Sequence, residues 1–193
     1  MIKPVLALAA TVALSGCISF GAAPPPSLLT LSPASIVPTG KPMSAAPGQA
    51  IAVLVPRVPA ALASTRVPVQ STATEIAYLK DAVWADAPNR LFERLLEETI
   101  GAKTGRVVLG PRDYSGDPGI RLSGELQNFG LDARTMEAVV TYDAVLQRDG
   151  STEVTTRRFE ARVPVSEAKP GPVGRGISDA ANKVADEVTA WLG

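Results

Sequence analysis

The chain has 193 residues, with 19 basic and 19 acidic side chains that cancel at pH 7. It therefore lacks the electrostatic footprint of a nucleic-acid binder and carries no polybasic patch for anionic lipid. It contains no histidine and one cysteine, which excludes Ser-His-Asp and Cys-His catalysis in their usual form and nearly every type of zinc site. Hydrophobic residues make up 46% but aromatics only 5%, so a core must be built mostly from Val, Leu, Ile and Ala.

The chain opens with Lys3 and a short apolar run over residues 5–13. That run has the length and small-residue content of a signal-peptide core and is too short to span a bilayer, which needs about 20 apolar residues. It closes on Leu14-Ser15-Gly16-Cys17, and Cys17 is the single cysteine. This pattern resembles the bacterial lipobox. The resemblance implies removal of residues 1–16 as a lipoprotein signal peptide and attachment of diacylglycerol to the Cys17 thiol. Each buried methylene adds about 0.8 kcal/mol, so several acyl chains make an anchor effectively permanent. Ile18 follows the cysteine; by resemblance to enterobacterial sorting, the absence of Asp there favours the outer membrane. Residues 17–26, ending in three prolines, read as a tether whose extended reach is roughly 30 Å.

The remaining residues, 27–193, read as one domain. Residues 27–31 (Ser-Leu-Leu-Thr-Leu) predict a first short strand, and the Pro-rich residues 33–48 a loop. The apolar run 51–55 predicts a buried strand, and residues 60–64 one helical turn. Residues 66–70 alternate, but Pro68 demotes them to an edge strand. Residues 75–79 predict a further strand. Asp86-Ala87-Pro88 predicts a helix start, with Asp86 as N-cap and proline in the first turn. Leu91, Phe92, Leu95, Leu96, Thr99 and Ile100 then recur on one helical face, with Arg90, Glu93, Arg94, Glu97 and Glu98 on the wet side. Gly101 or Gly105 stops the helix, and residues 106–109 predict a strand ended by Gly110-Pro111.

Three longer strands follow. Residues 120–129 and 136–147 alternate with a period of two, as half-buried antiparallel strands do. Asp149-Gly150 signals the hairpin turn between the second and the third. In the third, residues 152–165, the alternation slips at Arg157-Arg158 and predicts a bulge there. Residues 166–176, rich in Pro and Gly, read as loop. Ile177, Ala181, Val184, Val188, Trp191 and Leu192 predict a final helix. The order implies an α+β fold, a mostly antiparallel sheet with two main helices packed on one face.

The lipobox, the opening Ser27-Leu28-Leu29-Thr30-Leu31-Ser32-Pro33, and Ile51-Ala52-Val53-Leu54-Val55-Pro56 together resemble one family. The most specific stretch is Tyr78-Leu79-Lys80-Asp81-Ala82-Val83-Trp84-Ala85-Asp86-Ala87-Pro88, followed by Leu91-Phe92-Glu93-Arg94-Leu95-Leu96. The chain is similar, over essentially its whole length, to the ABC-type transport auxiliary lipoproteins, including the intermembrane-transport lipoprotein of the paraquat-inducible operon. It departs from them in Leu29, where members often show Tyr, and in the single Tyr78 in place of an aromatic doublet. The resemblance implies a lipid-anchored accessory at the periplasmic face of the envelope. Its partners would be an MCE-domain periplasmic protein with its ABC permease and ATPase, in a system that moves lipids or other hydrophobic molecules between inner and outer membranes.

No DxDxDG loop, P-loop or HExxH motif is present, so a binding role precedes an enzymatic one, and no cofactor or metal is implied. Tyr78 and Trp84 are the candidate partner-binding residues, because exposed aromatics become interface anchors; the competing reading for Trp84 is core packing. The Arg157-Arg158 pair reads as a solvated strand feature before an anion site. Two further functions stay open: carriage of a lipid in an apolar cavity between sheet and helix, and a part in envelope assembly. Oligomeric state is left open by the sequence.

Overall fold

Three long strands, β5 (Ile120–Asp132), β6 (Glu137–Arg148) and β7 (Val154–Pro164), form an antiparallel meander in the computed structural model. That structure describes residues 27–110 and 118–193. The expected signal peptide, Cys17, the tether at 17–26, and Pro111 as a strand stop lie outside the described residues. The other edge of β5 is shared. β1 (Ile51–Val53) runs parallel to its start, Arg57 bridges Glu125 at its middle, and β2 (Arg66–Gln70) runs parallel to its end. β4 (Val108–Leu109) pairs with β1, and β3 (Ile76–Val83) pairs antiparallel with β2. The fold is α+β, a seven-stranded sheet among the described residues whose long ladders are antiparallel.

Helices α1 (Pro88–Thr104) and α2 (Pro170–Leu192) both cover one sheet face. The apolar positions read from the alternation line that face. Leu122, Leu126, Val140, Tyr142 and Ala144 are buried there beneath Phe92, Leu96, Val184 and Val188. The aromatics are few but concentrated: Trp84 packs tilted against Phe129 at 5.2 Å, and Phe92 meets Tyr142 at 5.2 Å and Phe159 meets Trp191 at 5.6 Å edge to face. Gly105, left-handed at φ 68°, ends α1 by donating its N–H to the Gly101 carbonyl at 3.0 Å.

Several local readings change. Residues 27–31 form one bridge, Leu29 to Trp84, rather than a strand. Ala87, not Asp86, is the N-cap of α1; Asp86 instead accepts the Ala87 N–H at 2.7 Å and an Arg94 N–H at 2.9 Å. β2 is an interior strand, and β3 takes the edge. Pro68 is tolerated because the ladder shifts there: Arg66 faces Val83, whereas Pro68 faces Tyr78. The bulge expected in β7 lies in β5, between Leu126 and Asn128, and the β6–β7 register is unbroken. That shift is what brings Phe129 and Leu131 onto the core side.

α2 starts at Pro170, well inside the stretch read as loop. Pro170 and Pro172 fall in the first turn, where backbone N–H groups have no helical acceptor, so proline costs nothing there. Gly174 and Gly176 follow because contact demands it. A Cβ on Gly174 would meet a Leu29 methyl at 2.8 Å, and one on Gly176 would meet Val165 at 2.8 Å. Glu93, read as part of the wet face, is only 7% exposed.

Candidate functional site

Residues 27–37 form a strap that ties the chain's entry to the helices. The Leu29 N–H donates to the Val83 carbonyl and the Leu29 carbonyl accepts the Ala85 N–H, both at 2.8 Å. The Asn182 side chain holds both backbone sides of the strap: its Oδ1 accepts from Ala34 N–H at 2.8 Å and its Nδ2 donates to Ser32 O at 2.9 Å. Glu98 Oε1 accepts the Val37 N–H at 2.6 Å. Leu28 and Ile36 remain 56% and 69% exposed. The entry of the chain is thus fixed at the end of β3 and across both helices.

Trp84 lies beneath this entry point. It is 1% exposed, against Phe129, and its indole Nε1 has no hydrogen-bond partner among the described residues. In this fold it packs the core and presents no side-chain surface. Tyr78 is half-buried on edge strand β3. Its hydroxyl donates to the Ala61 carbonyl at 3.3 Å, and the Arg66 guanidinium lies 3.9 Å over its ring. Tyr78 on β3 and Trp84 just past its end therefore do not share a surface.

The sheet face that no helix covers among the described residues is a different environment. Asp143 accepts two hydrogen bonds from Arg158, both at 2.6 Å, and one from Gln127 at 3.2 Å. Asn128 donates to the Thr141 hydroxyl, which donates to Glu160 at 2.9 Å. Arg162 reaches Glu160 at 2.8 Å and Glu137 at 3.4 Å, and Arg134 pairs with Asp132 at 2.9 Å. The guanidinium hydrogen bonds hold Asp132, Asp143 and Glu160 below the usual carboxylate range. Arg157 and Arg158 separate: Arg158 joins this network, while Arg157 turns to the other side and lies 4.9 Å over the Phe159 ring.

Where this face meets the 3-10 turn Ala60–Leu62, a groove of about 540 Å³ opens. One wall is apolar, from Pro59, Leu62, Pro68 and Ile76; the other is polar, from Gln127, Asn128, Arg134 and Arg162. Ile76, 50% exposed at the start of β3, stands two residues from Tyr78. Sequence reading missed the groove because its walls come from β2, β3, β5, β6 and β7 together, and no local signal in any one of them announces it. On the opposite side of the sheet, desolvation raises the carboxyl pKa of Glu93. Among the described residues no group of three or more His, Cys, Asp or Glu is placed to hold a metal. No helix among the described residues is long and apolar enough to cross a membrane.

A family model described as "ABC-type transport auxiliary lipoprotein component" matches residues 29–189. Among solved structures, protein XCC0632 from Xanthomonas campestris, given with the family model DUF330, superposes with a TM-score of 0.72 at 17% identity, over 86% of this chain and 94% of that one. A second, titled only as an uncharacterized protein, superposes with a TM-score of 0.68 at 12% identity, over 86% of this chain and 100% of that one. Both show likeness of fold. Among curated proteins, none matches.

Proposed function

The chain belongs to the ABC-type transport auxiliary lipoprotein family, and we propose that it is the lipid-anchored accessory subunit of an ABC transport system with an MCE-type periplasmic component. In this reading Cys17 carries the lipid, the outer membrane holds it, and the system moves lipids or other hydrophobic molecules between the two membranes. The protein works by binding its periplasmic partner rather than by catalysis. The observation that carries the reading is the family match, which spans the strap, the sheet and α2 up to residue 189. The strap supports it mechanically, since it transmits the pull of a tether to both helices and leaves the opposite sheet face free.

Tyr78, with its neighbour Ile76 at the rim of the groove, is the proposed partner-facing corner; Trp84 packs the core at the other end of β3. Affinity purification of the full lipoprotein from its membrane in mild detergent, with mass spectrometry of what accompanies it, tests the reading. Recovery of an MCE-type protein with a permease and an ATPase is expected, and its loss in an Ile76→Asp variant would place the contact. Recovery of the lipoprotein alone counts against it.

A second reading, carriage of a lipid, draws on the groove, whose volume of about 540 Å³ falls in the range of small-molecule sites. The space between sheet and helices gives it no support, being filled by Phe92, Phe129, Tyr142 and Phe159, each at most 1% exposed. Native mass spectrometry would find bound lipid if carriage is the function.

A further inference from the structure

The groove beside Ile76 offers different chemistry at its two ends. Its floor is largely backbone: at Gly130 a Cβ would meet the Pro68 carbonyl at 2.3 Å. Val139 lies opposite Gly130 on β6, and Arg162 lies opposite Val139 on β7. At the β2–β3 end stand Pro59, Leu62, Pro68 and Ile76, whose side chains carry no hydrogen-bonding group. From β3 to β7 the groove crosses four strand spacings, about 19 Å at about 4.8 Å each.

At the other end the charges are already paired. Arg134 donates from Nε and Nη2 to the two oxygens of Asp132, at 3.2 and 2.9 Å. Arg162 donates to Glu160 at 2.8 Å and to Glu137 at 3.4 Å. A charged group brought here would compete with these pairs rather than complete them. What stays open is hydrogen-bonding capacity of both kinds. Arg134 Nη1 and Arg162 Nη2 donate to no described residue, and the side-chain oxygens of Gln127 and Asn128 accept from none, their amide nitrogens being turned to Asp143 and Thr141.

Volume limits the occupant to one chain. A methylene is close to a water molecule in size, and at about 30 Å³ each roughly 18 such groups fill the groove's 540 Å³. A glycerol ester of one medium-length chain has about that many non-hydrogen atoms, and a two-chain lipid has far more.

We propose that the groove binds an uncharged single-chain amphiphile of the monoacylglycerol class. Its chain lies along Pro59, Leu62, Pro68 and Ile76. Its head meets Arg134, Arg162, Gln127 and Asn128: the ester carbonyl and hydroxyls accept from the guanidiniums, and the hydroxyls donate to the amide oxygens. A carboxylate only accepts and an ammonium only donates, so neither satisfies both sets. The proposal rests on the carriage reading of the groove and not on an MCE-type partner.

Photolabelling of the full lipoprotein in phosphatidylcholine nanodiscs tests it. The probe is dodecanoylglycerol with a diazirine near the end of its chain, and labelled peptides are mapped by mass spectrometry. Label is expected on the segments that hold Pro59, Leu62 and Ile76, and unlabelled dodecanoylglycerol should displace it. Dodecanoate and dodecyltrimethylammonium, with the same chain and a charged head, should need at least tenfold more to compete. Labelling should be unchanged at about 1 M salt, where the screening length is about 3 Å. Ala73→Trp, an exposed change at the rim, should cut labelling at least tenfold with a wild-type thermal transition. Arg162→Lys, which keeps the charge but loses the planar fork, should cut it at least threefold. Label spread over the whole surface, equal competition by dodecanoate, or full labelling of either folded variant would overturn the proposal. Native mass spectrometry of the same protein separates its failure from that of carriage. A bound two-chain phospholipid with an unlabelled groove would leave carriage standing and overturn the monoacylglycerol, whereas folded protein free of any amphiphile would overturn both.

Discussion

The two faces of this sheet are built from the same strands and do opposite things. On the helix-covered face, Leu122, Leu126, Phe129, Tyr142 and Phe159 are buried to within 1% of complete exclusion from water. On the other, Arg158 pairs with Asp143 on the neighbouring strand and Arg162 with Glu160 along β7, all four staying about one-third to two-thirds exposed. Apolar burial is worth about 25 cal/mol per Å² and does not depend on geometry. Exposed ion pairs contribute about 0–1 kcal/mol each and are screened by salt. The first face therefore holds the fold together. The second fixes which strand lies beside which and presents the surface from which the groove is made.

Substitutions on the two faces should separate these roles. The largest effect is expected from Phe129→Ala, which empties a site shared with Trp84 and Phe92 and should cost about 3–5 kcal/mol of unfolding free energy, read from denaturant unfolding. A cost near that of a surface change would break the comparison. Glu93→Gln should act in the opposite direction. The raised pKa of Glu93 means that the folded state binds its proton more tightly than the unfolded chain does. The destabilisation by the charged form is full above the folded pKa and vanishes below the unfolded value of about 4.3. The variant should thus melt higher than wild type at pH 7, with the gap closing on acidification.

The smallest effect is expected from Asp143→Asn, on the open face. The Arg158 hydrogen bonds lower the Asp143 pKa, so its contribution is present above about pH 3.9 and is lost as pH falls through the folded pKa. The variant should lose under about 1 kcal/mol at neutral pH, less in high salt, and nothing against wild type once the pH is below the folded pKa of Asp143. A loss as large as that of Phe129→Ala would show that the open face also carries the fold.

Much of this was legible in the chain. The alternation of Ile120, Leu122 and Leu126, and of Ala138, Val140, Tyr142 and Ala144, marked the buried face because side chains in a strand point to opposite sides in turn. The repeat of Leu91, Phe92, Leu95 and Leu96 marked α1 for the same kind of reason. Tyr78 was legible as an aromatic on a short strand, but the groove beside it was not, since Pro59, Gln127 and Arg162 meet only through the sheet. Local signals failed where a distant contact overrode them. Gly174 and Gly176 read as breakers because nothing in their neighbourhood announces Leu29 or Val165, against which they pack. Arg157-Arg158 read as a bulge because a broken alternation looks the same whether the backbone shifts or an arginine lies over an aromatic ring.

By itself the sequence determined the class of fold, the two helices, the faces of the central strands and the resemblance that the family match bears out. These depend on periodicity and short motifs, which are local properties of the chain. Only the tertiary structure decided which strands form the edges, where the bulge falls, that Trp84 is buried, and that a groove opens beside Ile76. Those features depend on pairing between residues far apart in sequence, and pairing is settled by the packing of the whole.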